Sequence, residues 1–379
     1  MRAASAVEWL AHQREAMLAL LADLMNTDSG SRDKAGVDRV GARLAAFLEG
    51  EGIPVAWTRH ETYGDALDAR IGGSRPVLLL GHQDTVFPAG EAARRPFAVR
   101  EGRAYGPGVA DMKAGLVMNA FVLAAHHRAG APVALRALFT SDEEIGSPAC
   151  RPLIEAAAGD ARAVLNAEPG RPSGNIVTGR KGGVFLALTV HGKAAHAGAN
   201  FADGASAIAE LAHEIVALHA LTDLDRGVSV NVGLIAGGQS VNTVAPLASA
   251  GVDLRFIEPE ERDRLLAAVE RIAQDRTVPG TRAEVEITGE FRPLVADDRA
   301  RDLFEVYAGA MRDLGARVEG EFAGGCADSG FTAAVGCPTL CATGPIGGRT
   351  HTLSEWIDVE SLVPRAQAAA LAALRLGSW

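Results

Sequence analysis

Histidines and carboxylates recur in five short segments of the chain: Gly81-His82-Gln83-Asp84-Thr85-Val86, Gly106-Pro107-Gly108-Val109-Ala110-Asp111-Met112-Lys113, Asp142-Glu143-Glu144-Ile145-Gly146-Ser147, Ala167-Glu168-Pro169 and Thr350-His351. Singly, each such residue in a loop is most often a solvated or capping group. Gathered at one place with two histidines, at least three carboxylates would form a repulsive, desolvated acid cluster unless cations balance them. Asp111, Glu144 and Glu168 bring three negative charges and a shared hydroxide a fourth, which two divalent ions would neutralise. Imidazole and carboxylate donors without cysteine suit zinc, and cobalt or manganese fits the same set. Two metals lower the pKa of a water held between them. A carboxylate that is not a tight ligand must still take up the proton and return it to a leaving amine. Glu143 and Glu144, adjacent at a strand end, project differently, so one can bind metal while the other stays free.

The elements around these segments predict that they do converge. The run Val77-Leu78-Leu79-Leu80 is continuously apolar, as in a strand buried on both faces, and leads into His82 and Asp84. A second buried strand, 134–140, runs into Asp142-Glu143-Glu144, and a third, 163–166, runs into Glu168. Gly106-Pro107-Gly108 breaks the chain before Asp111, and 113–128 reads as a long apolar helix. Ligands outside the carboxyl ends of buried strands are usual in open α/β sheets. From 182 to 292 the pattern changes to βαββαβ: strand 184–191, helix 204–221, strands 228–236 and 245–257, helix 260–275 and strand 283–289. That order predicts a compact α+β, ferredoxin-like domain inserted into the larger α/β domain, which comprises 1–181 and 293–379.

At 379 residues and 39.4 kDa the chain exceeds what one core usually supports, in keeping with two domains. The formal charge of -10, with no basic stripe, argues against nucleic acid as a partner. Residues 1–25 place Val7, Leu10, Met17, Leu18, Leu21 and Leu24 at helical spacing among polar residues, which reads as one amphipathic surface helix rather than a signal peptide or membrane span. The four cysteines form no Cys-x-x-Cys pair, so reduced thiols and a cytoplasmic location are expected. Arg180 and Lys181, at the crossing into the insertion, read as a hinge or domain contact.

In these motifs, their order and their approximate spacing, the sequence resembles the co-catalytic zinc exopeptidases and amidohydrolases that include glutamate carboxypeptidase, acetylornithine deacetylase, succinyl-diaminopimelate desuccinylase and aminoacylase. The glutamate carboxypeptidase branch is nearest in pattern. The resemblance implies a phosphorylase/hydrolase-like catalytic domain with a mixed central sheet and an inserted lid or dimerisation domain. It implies two zinc ions: His82, Asp111 and Glu168 hold one, Asp111, Glu144 and His351 hold the other, and Asp111 bridges them. Glu143 matches the general base, and Asp84 the carboxylate that orients His82. His196, in Gly192-Lys193-Ala194-Ala195-His196-Ala197-Gly198, matches a histidine that reaches a neighbouring subunit's site and steadies the oxyanion, so a homodimer is expected. Asn242 and Arg292 match a pair that grips a substrate carboxylate. The Asp111–Met112 peptide is expected to be cis. One departure is Ala327, which stands where the family usually carries a hydroxyl. The implied activity is cleavage of an amide or peptide bond beside a free carboxylate, in a small peptide or N-acyl amino acid. An aminopeptidase or dipeptidase, and a catalytically silent dimeric binding protein, are the competing readings.

Overall fold

The computed structural model describes residues 2–131 and 133–377. The chain divides into two compact units: Met1–Arg180 with Leu294–Ala323 and Ala327–Trp379, and Lys181–Pro293 with Gly324–Cys326.

The larger unit is built on a six-stranded sheet in the order Val55–Thr58, Ala66–Ile71, Leu135–Thr140, Val77–His82, Ala163–Asn166, Thr339–Leu340. The four strands from Leu135–Thr140 onward are parallel, and the first two pair antiparallel, so the sheet is mixed. Val77–His82 and Leu135–Thr140 are buried at every position, which explains their unbroken apolar runs. The helix Ala114–Ala129 is apolar on nearly all sides and is enclosed by the sheet and by other helices, among them the alanine-rich Val359–Leu376. It stops at Gly130, whose left-handed φ of 58° lets its N–H close the last turn onto His126 and His127.

The N-terminal segment differs from the single surface helix expected. It forms two helices, Arg2–Ala11 and Arg14–Met25, and Leu10, Met17, Leu21 and Leu24 are fully buried in the main core. The reason lies in the partners: Ala-rich helix faces such as that of Val359–Leu376 let neighbouring backbones come close, so a modest apolar stripe is wholly covered.

The second unit follows the order Gly182–His191, Ala207–His219, Ser229–Gly237, Leu247–Phe256, Glu261–Gln274, Arg282–Phe291. Its strands form an all-antiparallel sheet in which Leu247–Phe256 and Gly182–His191 are central, with Ser229–Gly237 and Arg282–Phe291 at the edges. This is the ferredoxin-like arrangement. Both helices pack on the sheet around Leu186, Leu188, Leu211, Leu254 and Leu265. Gly324–Cys326 joins this unit through Arg255, whose Nη1 donates to Cys326 Sγ at 2.7 Å. No helix among the described residues is long and apolar enough to cross a membrane.

Candidate active site

Because neighbouring parallel strands end together, His82 lies level with Thr140, and Asn166 pairs with Leu80. The acids that follow Thr140 and Asn166 therefore emerge beside His82. Asp111 arrives from the other side, on a wide turn Val109–Lys113 in which the Asp111–Met112 peptide is cis. His351 comes from a late loop and has a left-handed φ of 61°, a conformation that non-glycine residues adopt mostly where surrounding structure imposes it.

The two oxygens of Asp111 face different imidazoles. Oδ1 lies 3.1 Å from His82 Nε2 and Oδ2 lies 3.3 Å from His351 Nε2. Glu144 Oε2 is 3.2 Å from His351 Nε2, while Glu168 Oε1 and Glu143 Oε2 are 3.6 and 3.9 Å from His82 Nε2. His82 is 1% exposed at its side chain and His351 50%, so one half of the cluster is sealed and the other open. Two groups have donor atoms close enough to share an ion: His82 with Asp111 and Glu144, and His82 with Glu143 and Glu168. Glu143 thus stands nearer the donors than a wholly free base would.

The electrostatics fit a site made for cations. Burial alone would lower the His82 pKa, but Asp111, Asp84 and Glu168 outweigh it and hold the imidazole well above its ordinary value. Burial raises Glu143 far above the carboxylate range, and Glu168, Asp328 and Glu144 add to the rise. Burial and the Asp111 charge push Glu144 up to about 7. Asp111 would rise on burial too, yet the two imidazoles keep it below its usual value. Glu144 Oε1 is buried and finds no hydrogen-bond partner among the described residues. An unpaired buried carboxylate oxygen and acids that resist ionising together are what a donor set shows when metal charge is its missing partner. His82, Asp111, Glu144, Glu168 and His351 therefore fit as holders of metal.

Backbone contacts fix these side chains. Asp84 is fully buried; its backbone oxygen and Oδ1 lie 3.0 and 3.3 Å from His82 Nδ1. The same carboxylate accepts the N–H groups of Glu143 and Glu144 at 3.1 and 3.2 Å and the Ser31 hydroxyl at 2.7 Å. Ala167 and Glu168 are clasped between two glycines: a Cβ on Gly115 or Gly344 would meet the Ala167 carbonyl oxygen at 2.0 or 2.4 Å. Glu355 was not singled out from the sequence. It is buried, and it accepts the N–H groups of Gly108, Ala110 and Asp111 at 3.2, 2.8 and 2.9 Å. Asp328, also passed over, is buried and accepts the Thr140 hydroxyl at 3.2 Å; burial raises it to about 7. Arg180, read as a hinge, is a buried guanidinium whose Nε donates to Cys341 Sγ at 3.2 Å and which feels the charges of Glu168 and Glu143.

In the inserted unit, His196 and Asn242 come together. His196 bridges Thr243 in a short antiparallel pairing, Ala197 N donates to the Asn242 backbone oxygen at 2.9 Å, and the exposed His196 ring accepts the N–H groups of Gly198 and Ala199 through Nδ1. Among the described residues, Nε2 of His196 has no hydrogen-bond partner. Arg292 instead lies 3.2 Å from Glu290, and no contact among the described residues joins it to Asn242.

With this geometry in place, comparison with known proteins is decisive. The profile of Peptidase family M20/M25/M40 matches residues 78–375. The chain belongs to that family. It is a metal-dependent hydrolase of the peptidase and amidohydrolase kind. Carboxypeptidase G2 of Pseudomonas sp. (strain RS-16) is 27% identical over 376 residues, covering 97% of this chain and 90% of the relative. The succinyl-diaminopimelate desuccinylase of Gluconobacter oxydans (strain 621H) is 31% identical over 378 residues, covering 91% and 93%. In fold, the M20 family metallo-carboxypeptidase of Sulfolobus solfataricus superposes with a TM-score of 0.80 at 17% identity, over 96% of this chain and 99% of that one.

Proposed function

We propose that this M20 family member is a two-zinc hydrolase that cleaves an amide bond beside a free carboxylate, as a carboxypeptidase or an N-acyl-amino-acid amidohydrolase. The observation that carries the reading is Asp111, whose two oxygens face two different imidazoles with Glu168 on one side and Glu144 on the other. His82, Asp111 and Glu168 would hold one ion, and Asp111, Glu144 and His351 the second. Bound there, the ions would supply Lewis acidity and make a water acidic enough to attack near neutral pH.

The remaining steps belong to the chain. Asp84 orients the His82 ring and, through the two N–H groups it accepts, sets the directions of Glu143 and Glu144. Glu143 is the general base: of the acids near His82 it lies farther away than Glu168, and its burial favours holding a proton, which it passes to the leaving amine. His196, with a free Nε2, is the donor to the developing oxyanion. Arg292 and Asn242 are assigned to the substrate carboxylate, since a guanidinium meets a carboxylate through two hydrogen bonds.

A screen of zinc-loaded protein against N-acyl amino acids, free dipeptides and their C-amidated forms, read by release of amine, tests the reading. Cleavage of substrates with a blocked N-terminus and free C-terminal carboxylate is the expected result. Turnover confined to free-amine peptides would make the chain an aminopeptidase or dipeptidase, and no turnover of any substrate would make it a binding protein.

A further inference from the structure

The helix Ala207–His219 buries Ala207, Glu210, Leu211, Glu214 and Leu218 in the inserted unit. Two acids therefore stand on a face that packing would fill with apolar side chains. Glu210 is 1% exposed, and the segment after the second helix fixes its carboxylate: Oε1 accepts Thr277 N at 3.1 Å and Oε2 accepts Val278 N at 2.5 Å. Glu214, one turn further on and 2% exposed, lacks such support, because neither of its oxygens has a hydrogen-bond partner among the described residues. Arg276 acts on it through charge alone. Burying a carboxylate without a partner opposes folding, so this position calls for a cation from outside the chain. Both acids line a cleft of about 100 Å³, several times what one water needs. Ala217 and Ile272 contribute apolar wall from the two helices, and His213, Asp275 and Thr277 form the exposed rim.

We propose that this cleft binds a primary ammonium group carried on an aliphatic chain. An ammonium brings three N–H donors, which suit acceptors supplied by Glu214, Glu210 and Asp275. Its methylenes then lie against Ala217 and Ile272, as the stem of a lysine lies along apolar surface. The carboxyl end of the helix Glu261–Gln274, which presents Ile272, adds the negative pole of its dipole. A bare metal ion demands closer convergence of donors. Among the described residues, only two groups bring three donor atoms within 4.8 Å of one another; both include His82, and neither contains an acid of this cleft. Every lining residue belongs to the inserted unit, so the site is complete without the catalytic one.

The test is a calorimetric titration of the zinc-loaded full chain with 1,4-diaminobutane at pH 8, above the value of about 7 to which burial raises Glu214. Zinc loading keeps the acids around His82 from competing for the amine. The diamine should bind, and Glu214→Gln, which keeps the shape and removes the charge, should weaken binding at least about tenfold, the scale of a lost charge-assisted hydrogen bond. Ala217→Leu, which narrows the wall and leaves every acid in place, should weaken it as well. Tetramethylammonium, with the same charge and no N–H donor, should not bind. Nα-acetyl-lysine amide distinguishes the sources: binding with the same dependence on both variants makes a peptide lysine the ligand, failure beside a diamine that binds makes it a free amine, and either result supports the site. No diamine binding, binding unchanged in both variants, or equal binding of tetramethylammonium overturns the proposal. So does a bound zinc ion that Glu214→Gln removes while the diamine stays unbound.

Discussion

Glu143 and Glu144 are neighbours in sequence, and both N–H groups are held by Asp84, yet their carboxylates reach different imidazoles. Glu143→Gln should keep metal content close to that of the wild type and lower kcat at least about a hundredfold, the usual contribution of a general base. Glu144→Gln should lose metal; metal analysis beside steady-state kinetics separates the two, and the reverse pattern would exchange their roles. Glu355 acts one step away by fixing the turn that presents Asp111. Glu355→Ala would strand three buried N–H groups, each costing about 1–3 kcal/mol when unsatisfied, so it should lower the melting temperature and weaken metal retention together. A variant with wild-type melting and metal content would remove Glu355 from the account. His82, Glu144 and Glu168 were legible because a histidine or acids closely follow apolar runs, whereas Asp111 and His351 stood out only through the motifs of the family resemblance. Glu355 and Asp328 were not, because their partners are backbone N–H groups and hydroxyls from distant segments, which no local pattern records.

The strands that matter most announce themselves through unbroken apolar runs, and the inserted unit through its βαββαβ order. Their pairing does not: nothing in Ala66–Ile71 indicates that it joins the sheet antiparallel beside Leu135–Thr140, and Thr339–Leu340 is too short to carry a period. Helix Ala207–His219 shows how tertiary structure can override a polar residue. Glu214 on its inner side is 2% exposed, neither oxygen has a partner among the described residues, and burial, helped by Glu210, raises its pKa from 4.5 to about 7. The folded state therefore binds a proton that the unfolded state has released between those values, so this acid favours folding least above pH 7 and its penalty is absent below pH 4.5. Denaturant melts should show Glu214→Gln gaining on the wild type as pH rises through that window, by up to about 3 kcal/mol. Parallel pH curves for the two proteins would mean that Glu214 ionises in place.

At the scale of the whole molecule, the inserted unit ends its sheet, among the described residues, on an edge strand without charge. Ser229–Gly237 pairs on one side only, carries no charged residue, and exposes Leu234 at 75% and Ile235 at 70% around the irregularity at Gly233. Such an edge is a template for a second strand, which suits a homodimer in which His196 serves the neighbouring site. Mixing inactive Glu143→Ala and His196→Ala subunits should restore part of the activity, since one site in each mixed dimer has both residues; exchange of subunits without recovery would place His196 in its own chain's site. The proposed chemistry depends on two metals sharing Asp111. Anomalous diffraction at the zinc edge from zinc-saturated crystals should show two peaks about 3.5–4 Å apart, both touching Asp111, one beside His82 and Glu168 and the other beside Glu144 and His351. A single peak at saturation, or a second that does not touch Asp111, would contradict it.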